Sequence, residues 1–65
     1  MVQHFDIFKI GKDAEPIWLE TADTLESAME RVASLRASTL ADYMILSQST
    51  GKRIMITSRG GIKRE

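Results

Sequence analysis

His4 is the single histidine of this 65-residue chain, which contains no cysteine. Nucleophilic catalysis needs a Ser, Cys or Thr beside a positioned base, and one imidazole close to a strand end is a poor start. The same counts exclude disulfides and thiolate metal sites, and one histidine cannot by itself make a His-based zinc centre. Carboxylates for acid–base work have to come from Asp13, Glu15, Glu20, Asp23, Glu26 and Glu30. Asp23 and Glu26 are placed to cap a helix, and Glu26 and Glu30 are i,i+4 neighbours on its outer face. A solvated acidic face accounts for them. Thr50-Gly51-Lys52 has the residue types of a phosphate loop. That loop, however, sets two glycines around four residues before Lys and Ser or Thr, between a strand and a helix. Here the triplet lies between two apolar runs and reads as a hairpin turn. No catalytic residue, cofactor or metal is expected, and the chain does not read as an enzyme.

Charge suggests binding chemistry instead. The net charge is zero, with nine basic and nine acidic residues. Residues 1–33 carry seven acids and three bases, net −4; residues 34–65 carry six bases and two acids, net +4. Such asymmetry suits a nucleic-acid surface, complementary ends of a self-associating protomer, or merely solvated strand edges. Lys52, Arg53, Arg59, Lys63 and Arg64 are the candidate phosphate contacts. A pI near 6.6 is below the basic footprint of a dedicated nucleic-acid binder, and Arg59-Gly60-Gly61 occurs once. Nucleic-acid binding is therefore the alternative reading.

The element that must organise the chain is a helix over Asp23 to Ala37. Leu25, Ala28, Met29, Val32 and Leu35 recur at intervals of three and four and form one apolar face. Asp23 is read as the N-cap, with Glu26 completing a capping box. Leu25, Met29, Val32 and Leu35 are the expected core. Residues 2–10 read as a first strand in which Phe5 and Ile7 share one face while Phe8 and Ile10 share the other. Either a bulge lies near Ile7 or both faces meet apolar neighbours. A turn over Gly11 to Pro16 leads to a second strand at Ile17–Glu20. After the helix, Tyr43–Gln48 is the third strand, Ser49–Lys52 a turn suited to a glycine bulge, and Arg53–Ser58 the fourth. Residues 59–65 are expected to fray.

The expectation is one α+β domain over residues 1–65, ββαββ, a four-stranded mainly antiparallel sheet with one helix across one face. A right-handed crossover gives the strand order 2-1-3-4. One helix covers only one face. Trp18, Met44, Leu46 and Met55 alternate with Ile17, Leu19, Ile45, Ile54 and Ile56, so an apolar set must face away from it. A chain this short also lacks the usual staples of a small core. Trp18, Met44, Leu46 and Met55 are thus the proposed interface of a homodimer, formed sheet to sheet or through edge strands, and association with another protein is also open. No apolar stretch approaches a membrane span, and Met-Val-Gln-His-Phe-Asp lacks the pattern of a leader. A cytoplasmic protein with no membrane association is expected.

Trp18, Thr24-Leu25-Glu26-Ser27-Ala28, Tyr43-Met44-Ile45-Leu46 and Thr50-Gly51-Lys52 together resemble the plan of small bacterial ββαββ proteins of unknown function. Those have a Trp on strand 2, an Ala-containing amphipathic helix, a Tyr-led strand and a Gly-containing hairpin. The resemblance spans nearly the whole chain and implies a stand-alone bacterial cytoplasmic domain. It transfers no activity.

Overall fold

The computed structural model describes residues 4–64. The chain forms β1 (Phe5–Ile10), β2 (Pro16–Ala22), α1 (Leu25–Ser38), β3 (Asp42–Ser47), β4 (Arg53–Ile56) and β5 (Ile62–Arg64). Every pairing is antiparallel, in the order β2-β1-β3-β4-β5. The class is α+β with one helix, as expected, but the sheet has five strands and the order is ββαβββ. The fifth strand comes from the segment expected to fray. Ile62 pairs with Ile56, Lys63 with Met55 and Arg64 with Ile54, so the β4 edge holds the chain in place. Residues 2 and 3 of the expected first strand, and Glu65, lie outside the described residues.

β2 and β3 both run antiparallel to β1, which lies between them, so α1 is the crossover that joins two parallel, non-adjacent strands. The helix begins one residue later than expected. Its N-cap is Thr24, whose Oγ1 accepts from the Ser27 N–H at 3.0 Å; Asp23 lies before the cap. Asp and Thr are both good caps, and the point where the chain leaves β2 decides between them. Ala28 and Val32 are buried, with Leu25, Met29 and Leu35 packed partly buried around them. On the sheet side the core is Phe5, Ile7, Tyr43, Ile45 and Ile56. The Tyr43 hydroxyl donates to the Thr39 carbonyl at 3.1 Å, tying the end of α1 to the start of β3.

The irregularity near Ile7 is a bulge. Ile7 pairs with Glu20 and Phe8 with Trp18, so Leu19 is the extra residue of β2. Leu19 packs partly buried against the core. β1 itself alternates without a break, and its second face is apolar at Phe8 and Ile10. The expected bulge near Ile7 is present and falls on the partner strand; among the described residues no further layer meets the second face.

The first and third hairpins close alike. Gly11 N–H donates to the Glu15 carbonyl and Ala14 N–H to the Gly11 carbonyl; Thr57 N–H donates to Gly61 and Gly60 N–H to Thr57. Each loop ends in a left-handed residue, Ala14 at φ 61° and Gly60 at φ 90°. The glycine accommodates that geometry freely, whereas the alanine is strained.

Candidate interaction face

Residues paired across an antiparallel sheet share a face, so the register reads out what lies opposite the helix. Phe8 pairs with Trp18 on one side and Met44 on the other; Met44 pairs with Met55, and Met55 with Lys63. One row, Trp18–Phe8–Met44–Met55–Lys63, therefore crosses all five strands. The adjacent row is Thr21–Asp6–Leu46–Arg53. Among the described residues no second layer covers these rows, since the only helix is on the other side. Trp18 is 57 % exposed, while Phe8, Met44, Leu46 and Met55 are half-buried.

The Trp end of the face is held by a polar cluster. Asp6 Oδ1 accepts from Thr21 Oγ1 at 2.8 Å and from Trp18 Nε1 at 3.3 Å, and Oδ2 accepts from Gln48 Nε2 at 2.8 Å. The Gln48 and Thr21 hydrogen bonds, joined by that of Trp18 and the nearby His4, hold the Asp6 carboxyl below the ordinary aspartate range against an opposing effect of burial. The cluster fixes the indole over the sheet edge and keeps a negative charge beside the apolar row.

All four residues of the expected interface set, Trp18, Met44, Leu46 and Met55, fall on this one face. Phe8 completes their row and Asp6 anchors it; neither was in that set. The signal for Phe8 was present in its separation from Phe5 and Ile7. Asp6 had none, because its three donors come from positions 12, 15 and 42 residues away. The basic set is divided. Lys52 is in the β3–β4 turn and Arg53 opens β4, whereas Arg59 is in the β4–β5 turn at the other end of that strand. By register Arg53 and Lys63 belong to the open face, and Arg64 pairs with Ile54.

Three of the remaining candidates make the following contacts. The His4 carbonyl accepts from the Gln48 N–H, extending the β1–β3 ladder. Glu20 takes an ion pair from Arg31 Nε at 2.9 Å, joining β2 to α1. In the hairpin at Thr50-Gly51-Lys52, Gly51 N–H donates to the Ser47 carbonyl at 2.8 Å, with Gly51 at φ 73°. Among the described residues no three His, Cys, Asp or Glu side chains gather where a metal ion could sit, and no helix is long and apolar enough to cross a membrane. Compared with protein-family models, with curated proteins and with solved structures, the chain has no match in any of the three.

Proposed function

We propose that this is a non-enzymatic interaction domain that works by association, with itself and through the same surface with other proteins. The supporting observation is the apolar row that crosses the sheet on the side away from the helix. A contiguous apolar strip of this kind is costly to leave in water and usually marks an interface. A small chain without disulfide or metal has additional stability to gain by covering it. The exposed edges β2 and β5 offer a second route to the same association, by strand addition. On this reading the domain acts in the cytoplasm.

The test is solution mass by light scattering over a dilution series at low and high salt. A dimer that persists at high salt supports the proposal, because apolar burial is not screened. A monomer at every concentration overturns it.

One arrangement favours a second reading, as a single-stranded nucleic-acid binder. Trp18 and Phe8 are cross-strand neighbours on the open face, with Arg53 and Lys63 toward its other edge. Sheet-face binders stack bases on such aromatics. Asp6 beside the aromatic pair and the scattering of Lys52, Arg59 and Arg53 over both ends of β4 weigh against it. Retention of an oligonucleotide at low salt, lost steeply as salt rises, is the result that favours this reading over the first.

A further inference from the structure

Resting on the self-association reading, we infer that the occupant of the open face is a second copy of this chain, related by a two-fold axis that runs along β3. β3 is the central strand of five. Rotation about a line along it lays β1 of one protomer over β4 of the other and β2 over β5. The open face is self-complementary under that operation. In the first row Asp6 comes to face the partner's Arg53, and Leu46 meets the partner's Leu46. In the second row Phe8 faces the partner's Met55, Met44 the partner's Met44, and Trp18 the partner's Lys63, an arrangement suited to a cation over an indole. The off-axis contacts each occur twice and the Leu46 and Met44 self-contacts once, on the axis, as an isologous interface requires.

Asp6 retains the capacity for this pairing. Its three intramolecular donors use three of the roughly four acceptor positions of a carboxylate. One alternative axis runs across the strands, along the second row. It stacks Lys63 on the partner's Lys63, sets Asp6 over Ile10 and Leu46 over Asp42, and so buries charges against like charges or apolar groups. Among the described residues the one like-charge encounter along β3 is Asp42 with its own copy. That residue stands at the strand end, where twisted sheets crossing at about 30° diverge, and its Oδ1 is already engaged by the Ser58 N–H at 2.8 Å. One acid of the first half of the sequence, Asp6, thus lies over one base of the second half, Arg53.

The experiment is a charge exchange in the full chain, read by sedimentation over a dilution series. Asp6→Arg and Arg53→Asp are each expected to weaken the dimer about tenfold, since each sets like charges face to face. An equimolar mixture of the two should restore it, because every contact in the mixed dimer is again acid with base. As a second probe, Met44→Cys and Trp18→Cys are treated with a thiol cross-linker of ~10 Å, about the spacing of packed sheets. Met44→Cys, on the axis, should cross-link to its own copy. Trp18→Cys should not, its two copies being four strand spacings apart, or ~19 Å. Circular dichroism checks folding, and if a charge variant unfolds the cysteine pair decides. A dimer indifferent to both charge reversals, or one in which Trp18→Cys cross-links or Met44→Cys does not, overturns the axis along β3 and leaves self-association standing. A wild-type chain that is monomeric at every concentration overturns both.

Discussion

Ala14 and Asp6 show how far a single position can carry physical consequences. Ala14 occupies the left-handed slot that Gly60 fills in the matching hairpin, and its Cβ is strained there. Ala14→Gly is expected to stabilise the fold by ~1 kcal/mol, raising the thermal midpoint by roughly 4–8 °C in a domain of this size. A fall in the midpoint would contradict the strain argument. Asp6 makes a prediction about pH. Its carboxyl titrates lower in the folded chain than in the unfolded one, where the value is near the ordinary ~3.9. Its stabilising contribution is therefore complete above that pH and is lost as pH falls through the lowered folded value. Asp6→Asn should flatten the acid limb of a stability-against-pH curve measured by urea unfolding, while leaving its shape above pH 5 unchanged.

At the scale of the element, α1 is fastened at both ends by side-chain hydrogen bonds of Thr24 and Tyr43. Thr24→Ala should cost about 1 kcal/mol of unfolding free energy, and Asp23→Ala clearly less, because only Thr24 satisfies a backbone donor of the first turn. Equal losses in chemical denaturation would return the cap to Asp23. Tyr43→Phe keeps the buried ring but leaves the Thr39 carbonyl without its hydroxyl donor, for an expected loss of ~1 kcal/mol. Helix periodicity was legible because Leu25, Ala28, Met29, Val32 and Leu35 obey one period. Its start was not, since Asp23 and Thr24 are adjacent residues of similar capping strength. β5 was not legible either. Three residues, two of them basic, have no strand period, and they become a strand only because β4 presents an unpaired edge to them.

For the whole molecule, the deciding feature is a sheet with one covered face. The helix-side residues are buried in the chain by itself, so Val32→Asp is expected to unfold the domain. Met44→Lys lies on the open row and should leave the helix and sheet intact while weakening association at least tenfold. Circular dichroism and light scattering on the same samples separate the two effects. Loss of fold in Met44→Lys would place that side chain in a core rather than at a surface.

The sequence by itself determined that there is one helix, that hairpins flank it, and that more apolar side chains exist than one helix can cover. These are local matters of period, turn chemistry and residue count. Only the tertiary structure decided which apolar set faces away, because that depends on a single-residue bulge at Leu19 that flips the side-chain alternation along β2. It also decided that Phe8 joins Trp18, Met44 and Met55 in one row, and that Asp6 and Arg53 stand on opposite sides of the central strand. Cross-strand register is set by pairing between residues distant in the chain, and no periodicity within a strand contains it.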